Sequence, residues 1–192
     1  MITSLLSYKE DKSFSPKVEK SQYQGLNGVS PPVKIINPIQ YRKKIVILYP
    51  GASPYAEEHP KMEMLGIILA QNGYKVFIPR IPPLKILDIS AVNVEWFICF
   101  YQWVLNKYHL ESQNITMIGT SYGGGIMLKA YLQFKSFLPI PKILMTHGTY
   151  ADAESTLCFL LTGEISNHGV QYKMTPHEWG IIVLFQNYLH IN

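Results

Sequence analysis

Ile115-Thr-Met-Ile-Gly119-Thr-Ser121-Tyr122-Gly123-Gly-Gly-Ile-Met-Leu-Lys-Ala130 is a short apolar run, a sharp turn with Ser121 at its tip, and then a helix-compatible run. Gly119 and Gly123 stand two residues either side of Ser121. A strand that reverses directly into a helix brings those two positions together, and glycine there removes the clash of side chains. The serine hydroxyl is left exposed at the apex, ready to act as a nucleophile. The helix begins at this point, so its unpaired N–H groups and positive dipole end face the hydroxyl. The N–H of Tyr122 is then placed to donate to an oxyanion. The alternative for the same letters is a Gly-rich turn carrying an ordinary solvent-facing serine.

The flanking sequence repeats a strand-then-helix rhythm. Lys43-Lys-Ile-Val-Ile-Leu-Tyr49 is a near-continuous apolar run, suited to a parallel strand covered on both faces. Val33-Lys-Ile-Ile36 predicts a peripheral strand before it, and Lys75-Val-Phe-Ile78 a strand after it. Between the last two, Met62, Leu65, Ile68 and Leu69 recur at helical spacing. Glu57, Glu58 and Pro60 suit that helix's start, and Asn72-Gly73 its stop. Val94, Phe97, Ile98, Tyr101, Val104, Leu105 and Tyr108 mark a second amphipathic helix. Past Pro139 and Pro141, Lys142-Ile-Leu-Met-Thr146 predicts another buried-type strand, closed by His147-Gly148. The alternation predicts an α/β fold: a doubly wound, mostly parallel sheet with helices on both faces. Reactive groups in such sheets lie at the carboxyl ends of strands. Ser121, Gly51-Ala52 and the stretch from His147 to Asp152 all fall there.

With 192 residues the chain can bury one substantial core. Hydrophobic residues are 47% and charged ones 16%, a globular balance that excludes a disordered chain. The formal charge of +4 owes much to lysines in the first 44 residues, read as a solvated leader. A nucleic-acid arm would need several arginines interleaved with aromatics on one face; no such face is read there, so no nucleic-acid partner is expected. The division expected is an irregular N-terminal leader over 1–30, a core over 31–152, and a cap or crossover segment over 153–192. In that last segment Leu157 to Leu161 is apolar, and Ser166-Asn-His-Gly169 predicts a turn. Thr175-Pro-His-Glu178 predicts a capping box ahead of a helix from Ile181 to Leu189. Cys99 and Cys158 sit in apolar runs and are expected as buried thiols. No secretory signal opens the chain and no apolar run is long enough to span a membrane, so a cytoplasmic protein is expected. Neither a metal-ligand spacing nor a dinucleotide fingerprint occurs, so no cofactor is expected.

Gly119-Thr-Ser-Tyr-Gly123 and the upstream Ile45-Val-Ile-Leu-Tyr-Pro-Gly-Ala52 resemble the α/β-hydrolase superfamily, as do Glu57-Glu-His-Pro-Lys-Met62 and Gly73-Tyr-Lys-Val76. The likeness is to members of the esterase and dienelactone-hydrolase kind, and it covers roughly residues 33–152. It implies a serine hydrolase acting on a small-molecule ester or related acyl bond through a Ser121 acyl-enzyme. It implies an oxyanion hole made by the Tyr122 N–H and one from Gly51 or Ala52. Pro50-Gly51 stands where many members have His-Gly, which leaves the backbone donors in place. The family order of serine, acid, histidine implies strands beyond those seen here, so the fold is expected to be incomplete at the C-terminus.

Two residues are candidates for the missing partners. Asp152 follows the strand next to the serine's and is the candidate acid; the alternative is a loop aspartate at a helix start. His168, in the predicted turn, is the candidate base; the alternative is a surface histidine. His177 and His190 read as a helix-start and a chain-end histidine, and His59, His109 and His147 as structural or surface ones. A second reading of the chain is an incomplete or inactive hydrolase-fold scaffold or binding protein. A third is acyl transfer to an acceptor other than water.

Overall fold

β3 (Lys44–Tyr49) is apolar from Ile45 to Tyr49, and every one of these side chains is buried. A strand of that kind needs cover on both faces, and the fold supplies it. The structure is a computed structural model that describes residues 15–108, 114–150, 152–178, 180–182 and 185. In it β3 lies between β4 (Tyr74–Pro79) and β5 (Ile115–Thr120) and runs parallel to both. β6 (Ile143–His147) pairs parallel to β5. On the other side β2 (Pro32–Asn37) runs antiparallel to β4, and β1 (Lys17–Gln22) antiparallel to β2. The order is β1-β2-β4-β3-β5-β6, the mostly parallel sheet that the alternation predicts.

Period-two alternation divides the core. Ile36, Val46, Leu48, Val76 and Ile78 face α1 (Pro60–Gln71) and pack with its Met62 and Ala70. Ile45, Ile47, Tyr49, Phe77 and Met117 face the other way, in one cluster with Phe97, Phe100 and Val104 of α3 (Val92–Tyr108) and Ile126, Met127 and Phe134 of α4 (Tyr122–Phe134). Helices therefore cover both faces. α1 starts at Pro60 as predicted, capped by the His59 ring, which accepts from the Lys61 N–H at 3.2 Å. Gly73 ends it with φ 87°. A short helix, α2 (Pro82–Lys85), follows β4. Beyond β6 come α5 (Ala153–Thr162) and a separate hairpin, β7 (Glu164–Asn167) and β8 (Val170–Lys173).

Four expectations change. The stretch 1–30 is not irregular throughout: β1 lies in it. Its side chains are mostly polar, so no apolar period marks it, and its ladder to β2 holds it. The next residue, Tyr23, is buried, donates its hydroxyl to the Arg80 carbonyl at 2.6 Å, and packs edge-on against Phe100. β2 is not peripheral, because β1 covers its outer side; its buried Lys34 pairs with Glu63 of α1. β6 is not a buried strand: Ile143 and Met145 are 46% and 53% exposed. Cys158 is exposed on α5, while Cys99 is half-buried. Glu178, Gly180, Ile181, Ile182 and Phe185 are helical, in line with the predicted last helix. The rest of that helix, His109, His190 and the first part of the leader lie outside the described residues. No helix among the described residues is long and apolar enough to cross a membrane.

Candidate functional site

β5 delivers Ser121 to the carboxyl end of the sheet, between the ends of β3 and β6. The chain reverses there with Ser121 at φ 50° and ψ −130°, a conformation side chains rarely adopt. Three neighbours hold it. The Ser121 N–H donates to the His147 carbonyl at 2.9 Å, the Thr149 hydroxyl donates to the Ser121 carbonyl at 2.9 Å, and the Gly124 N–H donates to the same carbonyl at 3.0 Å. The flanking glycines are required sterically. A Cβ on Gly119 would lie 2.6 Å from the Gly124 Cα, and one on Gly123 would lie 2.1 Å from the Pro50 carbonyl oxygen. The side chain of Ser121 is exposed at the apex.

The loop after β3 runs alongside. A Cβ on Gly51 would be 3.0 Å from the Ser121 Cβ and 3.6 Å from its Oγ, so that backbone touches the serine. Among the described residues neither the Gly51 nor the Ala52 N–H meets a backbone acceptor. Tyr122, the first residue of α4, has its N–H at the positive end of that helix. Its phenol donates to the Ile89 carbonyl at 2.6 Å, and its ring stacks on Tyr150 with centroids 5.6 Å apart. Burial pushes the Tyr150 phenol above its ordinary pKa, so it stays protonated.

Ser121 opens on a cavity of about 740 Å³, walled by Tyr122, Ile89, residues 148–150, α5 and His177. Of the sequence-predicted residues, Tyr122 lines the cavity with Ser121, Gly51 touches the serine, and Ala52, next in the chain, is buried in the core. Asp152 caps α5: its exposed carboxylate accepts from the Ser155 N–H at 2.7 Å. The hydrogen bonds from Ser155 hold its carboxyl below the usual carboxylate range. His168 sits in the β7–β8 turn with φ 49°, and neither residue lines the cavity. His177, expected as a helix-start histidine, lines it instead, and so does Glu154, which no sequence pattern singles out. His177 reaches it because its backbone N–H donates to the Leu160 carbonyl at 2.9 Å. That contact crosses the whole β7–β8 hairpin, and no local pattern announces it.

No family model matches the chain, and no curated protein matches it. Solved structures do. A dienelactone hydrolase from Anabaena variabilis superposes with a TM-score of 0.55 at 16% identity, over 70% of this chain and 64% of that one. A hormone-sensitive lipase from a metagenome library gives 0.57 at 20%, over 74% and 46%. A bacterial heroin esterase gives 0.57 at 13%, over 87% and 55%. The chain has the α/β-hydrolase fold. It spans less than two thirds of the length of each of these α/β-hydrolase structures. Within that fold β5, Ser121 and α4 form the sharp strand-to-helix turn expected from the sequence, and the loop after β3 is its neighbour.

Proposed function

We propose that this α/β-hydrolase-fold chain is a serine hydrolase that cleaves a carboxylic ester or related acyl bond. The observation that carries the proposal is Ser121 itself: a non-glycine residue at positive φ, exposed, on a strand-to-helix turn that opens into a cavity. Other residues such as Ala56 and Leu87 also have positive φ; Ser121 is set apart by joining that backbone to an exposed hydroxyl beside a cavity, where strain is expected to serve a reaction. In this reading the Ser121 Oγ bonds to the carbonyl carbon of the ester, and its proton passes to His177, the histidine of the same cavity. The oxyanion that forms accepts hydrogen bonds from the N–H of Tyr122 and of Gly51 or Ala52. The C–O bond to the alcohol breaks, and the alcohol leaves with the proton. Water then attacks the acyl-serine, releasing the acid and restoring the hydroxyl.

A fluorophosphonate probe tests the nucleophile. Wild type is expected to label and Ser121→Ala not to; equal labelling of both would overturn the reading. His177→Asn is expected to lower kcat/KM by about 10²–10⁴-fold, the ordinary worth of a general base. The placement of Asp152 and His168 away from the cavity favours a second reading, a hydrolase-fold scaffold or binding protein without turnover. A chain that neither labels nor turns over any ester supports that reading.

A further inference from the structure

We propose that the cavity beside Ser121 is a subsite for an uncharged, apolar acyl chain, whose length is set by Leu157 and Leu160 of α5. This rests on the serine-hydrolase reading above. Sites for small molecules are clefts of roughly 300–1,000 Å³, mostly apolar with a few polar groups, and the volume of about 740 Å³ is of that kind. Ile89, Tyr122, Tyr150, Leu157 and Leu160 supply its apolar walls. Both tyrosines are fixed. The Tyr122 hydroxyl is taken up by Ile89, and the Tyr150 ring rests on Gly125, where a Cβ would come within 2.4 Å of it.

The polar lining argues for a neutral occupant. The Thr156 hydroxyl donates to the Asp152 carbonyl at 2.7 Å and is already used. Glu154 is an acid, and among the described residues no lysine or arginine lines the cavity to balance it. A second carboxylate on the substrate would meet repulsion from Glu154, and would compete for His177, the group that takes the serine's proton. The acyl portion is the part assigned here because it stays joined to Ser121 after the alcohol has gone.

The test is a series of p-nitrophenyl esters from acetate to octanoate, with a matching series of acetates of longer alcohols. kcat/KM is expected to rise about fourfold for each acyl methylene buried, as transfer of a methylene from water predicts. Leu160→Trp, or Leu157→Trp if the first variant does not fold, is expected to lower the octanoate-to-acetate ratio at least tenfold. A flat acyl series, a rise that follows the alcohol chain, or an unchanged ratio in a folded variant would overturn the subsite. Titration calorimetry on Ser121→Ala separates this claim from the catalytic one. Tighter binding of the octanoate than of the acetate, weakened by the tryptophan, supports the subsite even where wild type turns over no ester. Equal binding of the two esters sinks the subsite even where wild type is an active esterase.

Discussion

Ser121 combines the hydroxyl proposed as the nucleophile with a backbone that glycine would tolerate better. At φ 50° and ψ −130° an L side chain costs about 1–3 kcal/mol. Replacing the hydroxyl alone leaves that strain in place, and removing the Cβ relieves it. Ser121→Gly is therefore expected to be about 1 kcal/mol more stable than Ser121→Ala, after allowing for the greater freedom of glycine in the unfolded chain. Urea unfolding of the two variants measures it, and equal midpoints would remove the strain from the account. Asp152 poses the opposite question. Its carboxylate caps a helix, so Asp152→Ala is expected to lower the melting temperature slightly. It is expected to leave kcat/KM within about tenfold of wild type. A loss of about 10³-fold or more would restore the acid's role to it.

The loop from Pro50 to His59 carries the proposed oxyanion donors, and an ion-pair cluster ties it down. Glu57, in the turn Ala56–Glu58, is buried and meets Arg80 at 2.5 Å; Glu58 meets Arg80 at 3.2 Å and Lys85 at 2.8 Å. The Ser53 N–H donates to the Leu84 carbonyl at 3.1 Å, so the loop is anchored to α2 as well. Removing one partner of a buried pair strands the other, at about 3–5 kcal/mol for a fully buried pair. Arg80 is partly exposed, so Glu57→Gln is expected to cost less, about 2 kcal/mol. Glu57→Leu combined with Arg80→Met is expected to recover most of that in chemical denaturation, since neither charge is then left alone. Failure of the double variant to recover would show that the pair does more than hold the loop. At the elbow, Gly123→Ala drives a methyl into the Pro50 carbonyl. A loss of about 1–3 kcal/mol is expected, as for overpacking elsewhere, with a fall in ester turnover because the same loop must move.

The sheet ends, among the described residues, on β6, whose Ile143 and Met145 stand on one face and are about half exposed. An uncovered edge strand with apolar side chains is a template for pairing with other chains. Light scattering is expected to show association that grows with concentration, and Met145→Lys is expected to reduce it without lowering the melting temperature. Equal scattering from both proteins would show that this edge is not what associates. The opposite edge needs no such remedy. β1 is polar, with Lys17 and Glu19 paired at 2.7 Å, and it shields β2 from solvent.

Periodicity and turn chemistry carried most of the architecture. The buried run of β3, the stripe of α3 and the glycines around Ser121 each depend on neighbours close in the chain, so local sequence suffices to read them. β1 escaped because an edge strand is held by its ladder and by Tyr23, not by an apolar pattern. The nearness of Gly51 to Ser121 followed from strand order, since parallel strands bring their carboxyl ends together. The partners of the serine did not follow. Asp152 was spent on a helix cap and His168 on a hairpin tip, while a backbone bond between His177 and Leu160 carried a different histidine to the cavity. Such contacts join residues far apart in the chain through packing, and no spacing of letters encodes them.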